Sequence, residues 1–313
     1  LPKTERLIVQ HTAGGTHYRL LVNDGIWYQL LGPELLVINP SNTRVIDQQD
    51  LSGATSHGSA SDMLLHDGEL WVVLDDVSVI RLSLDEPRRP WLEETIPAGV
   101  LGISPRGLGV LDDRVVVLGE GGVVDPVSGI SLTRTDGVVT SVVATPDGGV
   151  YCMDRRIYRV NDDEYVGSAS QLHLLADDSH WGHGTIVFVR HEQAGSLVGL
   201  VDEDLLERDG ERTTVAVPGR VAQVHAIDGG LLVASDAGLR RYQVNDGELV
   251  LESEWDIGGV LDAGLLDGDR IAVVGRFGRG VIHADGRSAG RPEQFEVLMR
   301  EPSGLTAAIS DGR

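Results

Sequence analysis

The chain consists of short runs in which apolar and polar residues alternate, separated by pairs of turn-forming residues. Residues 61–84 show the pattern in full: an alternating run, the pair Asp67-Gly68, a second run ending in Leu70–Leu74, the pair Asp75-Asp76 and a third run. Alternation with a period of two is typical of half-buried β-strands. Asp-Gly between such runs predicts a tight hairpin, because both residues tolerate positive φ. The pattern therefore predicts an all-β protein.

These turns recur at a nearly constant distance. They lie at Asp24, Asp67, Asp112, Asp147, Asp178, Asp228 and Asp267. The span of 243 residues from Asp24 to Asp267 contains six intervals with a mean length of 40.5 residues. A repeat of about 40 residues with about four strands per unit is typical of a β-propeller blade. We therefore predict a single β-propeller domain over residues 1–313, with seven blades preferred and eight as the alternative.

The two ends of the chain are predicted to meet in one blade. Residues 303–312 match the start of the repeat at residues 59–68, so we expect the chain to end on an innermost strand. Strands near residues 7–11 would complete that blade. Pairing the N- and C-terminal strands in this way would close the ring and remove exposed sheet edges.

Two segments resemble known propeller families. Residues 144–160, ATPDGGVYCMDRRIYRV, resemble the repeat of the NHL and gluconolactonase-like propellers. Residues 35–46, LLVINPSNTRVI, resemble the outer hairpin of the YVTN and quinoprotein (PQQ-type) propellers. Each resemblance covers one blade. Together they imply the propeller architecture, whereas function must be argued from the site.

Charge narrows the class of partner. The sequence has 26 Lys+Arg against 48 Asp+Glu, a formal net charge of −22, and Lys3 is its one lysine. This balance excludes a basic nucleic-acid-binding surface, which must neutralise phosphates. The acids are scattered through turns, which favours an evenly acidic, halophile-like surface. Binding of a cationic partner is the alternative interpretation.

The sequence gives little information on the cellular compartment of the protein. No apolar run approaches the roughly 18 residues of a membrane span, so we predict no transmembrane segment. The single cysteine, Cys152, excludes an internal disulfide framework and lies in an apolar stretch where we expect it to be buried. The sequence starts at Leu1 without methionine, which fits a removed targeting segment or an excised piece, and an extracytoplasmic location is therefore a hypothesis.

In a propeller, the loops that lead into the innermost strands and those between the second and third strands meet at one face, around the central channel. Loops on a rigid scaffold commonly carry function, so we place the candidate binding residues there. They are Asp62, Arg106, Arg155, Arg156, His191, Gln223, Asp236, Asp262, Arg276 and Arg279. Gln171, Asp75, Asp76 and Glu120 belong to the same loops.

Two functions follow from this placement. The preferred one is a non-catalytic binding or assembly module, without a cofactor, that presents the loop-rich face to a protein partner or ligand, as a monomer or as a subunit of a larger assembly. The alternative is a hydrolase or lactonase assisted by calcium or another divalent metal. In it, Asp62 and Asp262 would be ligands, since both lie five residues before a turn, and His191 or His57 would be the base. A redox enzyme with a bound quinone is a third interpretation.

Overall fold

The structure is a computed structural model. It describes residues 7–8, 18–42, 44–51, 60–145, 148–174, 185–202, 213–245, 247–267, 270–275, 278–283, 297–300 and 306–309. The predicted all-β class is confirmed. The one helix of these residues has four residues, and no described helix is long and apolar enough to cross a membrane.

Strand β1 (Leu7–Ile8) comes first, and six sheets follow it around a central channel. The first sheet contains β2 (Tyr18–Asn23), β3 (Ile26–Leu31), β4 (Glu34–Asn39) and β5 (Arg44–Asp50). The second contains β6 (Ala60–His66), β7 (Glu69–Leu74), β8 (Ser78–Ser83) and β9 (Trp91–Pro97), and is followed by helix α1 (Ala98–Leu101). The third contains β10 (Ser104–Leu111), β11 (Arg114–Val124), β12 (Ser131–Val143), β13 (Val150–Met153), β14 (Arg156–Arg159) and β15 (Tyr165–Gly167).

The remaining sheets continue in chain order. The fourth contains β16 (Gln171–Leu174), β17 (Thr185–Glu192), β18 (Gly195–Asp202) and β19 (Thr213–Pro218). The fifth contains β20 (Val221–Ile227), β21 (Gly230–Ser235), β22 (Gly238–Asn245) and β23 (Glu248–Trp255), and the sixth contains β24 (Val260–Asp267), β25 (Arg270–Gly275) and β26 (Gly278–His283). A separate three-stranded sheet contains β1 with β27 (Val297–Arg300) and β28 (Thr306–Ile309).

Within the six sheets, sequence neighbours pair in antiparallel fashion through short turns. Asp24-Gly25, with φ of 48° and 69°, and Asp67-Gly68, with φ of 48° and 76°, have the positive φ at both positions that a type I′ turn requires. Asp112-Asp113 does the same without glycine, at 47° and 58°. The hairpin turns predicted at these three places are confirmed.

The hydrophobic core lies between adjacent sheets. Tyr28 and Leu35 of the first sheet, for example, belong to the same buried cluster as Leu70 and Ile80 of the second. The second strand of each four-stranded sheet is apolar on both faces because each face packs on a neighbouring sheet. The runs predicted as core strands are accordingly buried throughout. They are residues 70–74, 115–118, 186–189, 231–233 and 271–274.

The prediction of seven blades, with eight as the alternative, is wrong, because the structure has six. Strand β12 is continuous over 13 residues. Its first part pairs with β11, up to Val138, and its second part pairs with β13, from Val139. Two repeat units therefore share one strand and form a single six-stranded sheet. The spacing of turns along the sequence gives the number of hairpins. It does not show whether two hairpins are joined by one continuous strand, so it does not give the number of blades.

The predicted closure through a shared terminal blade is also wrong. In the part of the chain that the structure describes, no blade of the ring is completed by strands from the two ends. Residues Leu7–Ile8 instead pair in parallel with β27, which pairs with β28, in the separate three-stranded sheet. The ring is completed by packing of the innermost strand β24 against β2, so the sixth sheet meets the first directly.

Candidate functional site

A cavity of about 1220 Å³ occupies the channel. Its wall is formed mainly by seven strands, since the six-stranded sheet contributes both β10 and the second half of β12. The seven strands are β2, β6, β10, β12, β16, β20 and β24. The lining mixes charged, polar and apolar side chains.

A recurring β-bulge orients the innermost strands. The bulges fall between Ala60 and Asp62, Pro105 and Gly107, Val139 and Ser141, Val221 and Gln223, and Val260 and Asp262. A bulge bends its strand and redirects the following side chain. At three of these sites that side chain, from Asp62, Ser141 or Asp262, accepts a hydrogen bond from the backbone of the next innermost strand.

Asp62 uses both carboxylate oxygens in this way. Oδ2 accepts the N–H of Leu108 on β10 at 2.9 Å, and Oδ1 accepts the N–H of Met63 at 3.0 Å. Oδ1 also pairs with the guanidinium of Arg19 at 2.7 Å. The carboxylate is therefore a link between the second and third sheets, and it contributes one side of an ion pair in the cavity.

Asp262 is the most enclosed of the lining carboxylates, with 1% of its side chain exposed. Oδ2 accepts the N–H of Leu20 at 2.9 Å, and Oδ1 accepts the N–H of Ala263 at 2.8 Å. The ring nitrogen Nε2 of His225 donates to Oδ1 at 2.5 Å. A buried carboxylate needs such donors, because an unpaired charge in this environment is costly.

Arg19 lies between the two carboxylates. Its second guanidinium nitrogen is 4.0 Å from Oδ2 of Asp262, so Asp62 and Asp262 converge on one cation. Each of their four oxygens has at least one N–H donor within the protein. In the part of the chain that the structure describes, no group of three or more His, Cys, Asp or Glu is arranged to hold a metal ion. Metal ligation by this pair would require displacement of Arg19.

Two histidines complete this side of the cavity. His225 is paired with Asp262, as described above. Burial, followed by the charges of His225 and Arg19, lowers the pKa of His173 to about 3, although Asp262 opposes the shift. His173 is therefore neutral at physiological pH, and its Nε2 lies 3.4 Å from Oε1 of Gln171.

A second group of cavity residues is cationic. Arg155 lies in the β13–β14 turn, His191 lies near the end of β17, and Arg220 lies just before β20. Burial first, and then the charges of Arg220 and Arg155, lower the pKa of His191. We call Arg155, His191 and Arg220 the cationic cluster.

The structure places the other candidate residues as follows. Gln223 and Gln171 line the cavity, as do Asp62, Asp262, Arg155 and His191. Arg106 pairs with Asp76 at 2.8 Å outside the lining, and Asp236 caps the backbone N–H of Arg220 at 2.7 Å. Arg156, Asp75 and Glu120 do not line the cavity, and Arg279 is buried in β26. Arg276 and His57 lie outside the described residues.

The sequence analysis missed Arg19, Arg220, His173 and His225. One signal was available: Arg19 lies five residues before Asp24, the same distance that marks Asp62 and Asp262. His173 and His225 each follow a candidate glutamine by two residues, so they lie on the same face of the strand. Arg220 has no such signal, because its place depends on a loop.

Cys152 is buried, as expected. Its thiol donates a hydrogen bond to the carbonyl of Ala169 at 3.0 Å, and burial raises its pKa to about 11. A thiol that stays protonated at neutral pH is a poor nucleophile and a poor metal ligand. Cys152 therefore contributes to packing.

No protein family and no curated protein sequence matches the chain. Among solved structures it is similar to PorZ, an essential bacterial surface component of the type-IX secretion system of Porphyromonas gingivalis, with a TM-score of 0.63 and 14% identity over 95% of this chain. The chain spans 40% of the length of PorZ. It is also similar to the WD40 domain of Toxoplasma gondii coronin, with a TM-score of 0.64 and 12% identity over 89% of this chain and 83% of that one.

A third similar structure is the computationally designed protein Ika8, with a TM-score of 0.54 and 11% identity over 97% of this chain and 99% of that one. The resemblance to NHL and YVTN propellers is not confirmed by these neighbours, which include a WD40 domain. At such low identities the similarity shows the fold alone, and that fold is a β-propeller.

Proposed function

We propose that the protein is a non-catalytic binding module that presents the channel face to a protein partner. The observation that supports this is the use of the channel carboxylates. Asp62 and Asp262 link neighbouring sheets and neutralise Arg19, so they hold the wall of the cavity in place. Binding surfaces gain affinity when their groups are held in place before the partner arrives.

The same contacts weigh against the metal-assisted hydrolase. A calcium ion requires six to eight oxygen ligands, and the two candidate carboxylates already accept hydrogen bonds on all four oxygens. The candidate base His191 contacts Ser196 within the fourth sheet, whereas Asp62 and Asp262 belong to the second and sixth sheets. These residues therefore support recognition better than hydrolysis.

The structural neighbours agree with this proposal at the level of fold. PorZ is described as a surface component of a secretion system, and WD40-like propellers often bind proteins. By analogy, we propose that the partner of this chain is a protein and that the channel face is the surface it contacts.

Capture of partners by immobilised protein tests the proposal. Ser61 lines the cavity, so Ser61→Trp should obstruct its mouth, whereas Val127 is 76% exposed outside the lining and Val127→Trp adds the same bulk elsewhere. We expect the wild type and Val127→Trp to retain the same specific protein from an extract of the source organism, and Ser61→Trp to lose it while keeping its circular dichroism. Equal capture by all three proteins would contradict the proposed face.

The hydrolase alternative has its own readout. Ester and lactone hydrolysis is measured with and without added calcium, in the wild type and in Asp62→Asn. A calcium-dependent hydrolysis that Asp62→Asn abolishes would replace the binding-module proposal. We expect no such activity.

A further inference from the structure

The cationic cluster is unusual in a chain with a formal charge of −22. Several arginines of the described residues have acidic partners, as Arg19 has with Asp62 and Arg106 has with Asp76. Within the same described residues, the guanidinium groups of Arg155 and Arg220 make no ion pair and no hydrogen bond. Both arginines line the cavity beside His191. Uncompensated cations that face one cavity leave room for an anion.

The backbone that carries Arg220 is fixed at several points. Its N–H donates to Oδ1 of Asp236 at 2.7 Å, and its carbonyl accepts the N–H of Asp236 at 3.1 Å. The N–H of the next residue, Val221, donates to Oγ of Ser196 at 3.1 Å. Asp236 is thus occupied by the loop backbone, and the side chain of Arg220 remains available to the cavity.

His191 is fixed by serines. Its N–H donates to Oγ of Ser170 at 3.0 Å, and its Nδ1 lies 3.1 Å from Oγ of Ser196. Ser196 has one hydroxyl proton, which it donates to the carbonyl of Gly219 at 3.1 Å. When Ser196 donates to Gly219, Nδ1 of His191 is the donor in its contact with Ser196. The other nitrogen, Nε2, makes no hydrogen bond with a described residue.

Arg155 lies in a two-residue turn. Asp154 and Arg155 have φ of 52° and 63°, so they form the tight connection between β13 and β14. The carboxylate of Asp154 lies against Gly137 of β12, because a Cβ at Gly137 would be 3.1 Å from its Oδ2. Asp154 is the acidic residue nearest to Arg155 in the sequence, yet the two side chains form no ion pair.

We propose that Arg155, Arg220 and Nε2 of His191 bind an oxyanion, a carboxylate or a phosphoryl group, at the channel face. This inference rests on the proposed function, because it names the chemistry of the group that the partner inserts. Two guanidinium groups supply several N–H donors for such an anion. Protonated His191 supplies another donor, since Nδ1 is already bound to Ser196.

Binding should be linked to proton uptake. Burial and the two arginines lower the pKa of His191, and a bound oxyanion would offset those positive charges. The other charged groups on the elements around His191 are Asp236, which holds the backbone of Arg220, and Asp154, which lines the same cavity. Arg190 and Glu192 are the chain neighbours of His191. Affinity for a carboxylate, which stays ionised above about pH 5, is therefore expected to rise as the pH falls toward that value.

Two small probes test this inference on the full chain. Inorganic phosphate represents the phosphoryl group and a short glutamate-rich peptide represents the carboxylate, so the preferred source is read from which binds more tightly. Binding is measured by calorimetry, and protonation of His191 by NMR. We expect Arg155→Gln/Arg220→Gln to weaken binding by about tenfold or more, a loss typical of charge-assisted hydrogen bonds.

The matched control is Arg88→Gln/Arg89→Gln. These arginines are exposed between β8 and β9, outside the cavity, and their replacement changes the net charge equally. His191→Gln should keep binding at high pH and lose the increase at low pH. Equal affinities of the two double variants, or no binding of either probe to the wild type, would overturn the inference.

The result of the probe experiment can be distinguished from the result of the partner-capture experiment that tests the proposed function. Probe binding requires no partner, so it can succeed when partner capture fails. Conversely, a partner that is captured by the wild type and lost with Ser61→Trp, but is unaffected by Arg155→Gln/Arg220→Gln, would leave the binding module standing and remove the oxyanion site.

Discussion

Oδ2 of Asp262 accepts the backbone N–H of Leu20 at 2.9 Å, which joins residues 242 positions apart in the sequence. The bond connects the innermost strand of the sixth sheet to that of the first. Asp62 and Leu108 form the same contact between the second and third sheets. The ring is therefore completed by a hydrogen bond from a backbone N–H to a side-chain carboxylate. The same kind of bond links the second and third sheets within the ring.

Asp262→Ala is expected to lower the free energy of unfolding by about 3 kcal/mol, because it leaves the N–H of Leu20 without its acceptor and the charge of Arg19 less compensated. Urea denaturation measures the change. Asp256→Ala is the control, since Asp256 is exposed and should change stability by no more than about 0.5 kcal/mol. Equal effects of the two substitutions would show that the interblade hydrogen bond contributes nothing.

Gly219 is expected to be intolerant of a side chain. It has a φ of +76°, and an added Cβ would lie 1.9 Å from Oδ1 of Asp236, the atom that holds the backbone of Arg220. Gly229 has a similar φ of +69° but open space around it. Both alanine variants should lose about 1–2 kcal/mol from backbone strain, and Gly219→Ala should lose about 1–3 kcal/mol more from the clash. Thermal or urea unfolding compares them, and equal losses would mean that the Asp236 carboxylate moves aside at no cost.

His173 is expected to make the protein less stable in mild acid. Its pKa is about 3 in the folded protein against 6.5 for an ordinary histidine, so the unfolded chain binds more protons between these values. The free energy of unfolding therefore falls as the pH decreases from 6.5 toward 3. At about pH 5 the loss from this residue is about 2 kcal/mol.

His173→Gln tests this pH dependence, because glutamine does not titrate. Denaturation at about pH 7.5 and at about pH 5 should show a smaller difference in the variant than in the wild type, by about 2 kcal/mol. An NMR titration of the wild type should find the His173 ring still neutral at pH 5. Protonation of that ring above pH 5 in the folded protein would contradict the expectation.

Cys152 is expected to be inert to alkylating reagents in the folded protein. With a pKa of about 11, only about 0.1% of the thiol is ionised at pH 8, and its side chain is buried. Mass spectrometry after brief treatment with iodoacetamide should find little label without denaturant and full label with it. Rapid labelling of the native protein would indicate that the packing around β13 opens.

The sequence predicted what depends on local patterns. Alternation identified the strands, and Asp-Gly pairs located hairpins such as those at Asp24 and Asp67, because turn geometry depends on two adjacent residues. Asp62 and Asp262, which lie at equal distances from their turns, both line the cavity. The residue five positions before the turn at Asp24 is Arg19, which also lines the cavity.

The rest depended on contacts between residues far apart in the sequence. Six blades replaced the predicted seven because β12 runs from Ser131 to Val143 without a break, and whether a strand stops or continues is decided by the sheets on both sides. The role of Asp262 likewise depends on partners that are distant in the sequence. A carboxylate that looked like a metal ligand already holds a backbone amide and a histidine.

The continuous strand β12 makes the ring mechanically uneven. Elsewhere, neighbouring sheets meet through side-chain packing, side-chain hydrogen bonds and single backbone hydrogen bonds such as that from Asp76 N–H to the carbonyl of Pro105, rather than through a shared strand. The two units that share β12 are joined by one backbone, so tilting one against the other would break ladder hydrogen bonds on both sides of it. This sheet is therefore the stiffest part of the ring, and it carries Arg155, which lines the same cavity as Arg220 at the start of the fifth sheet.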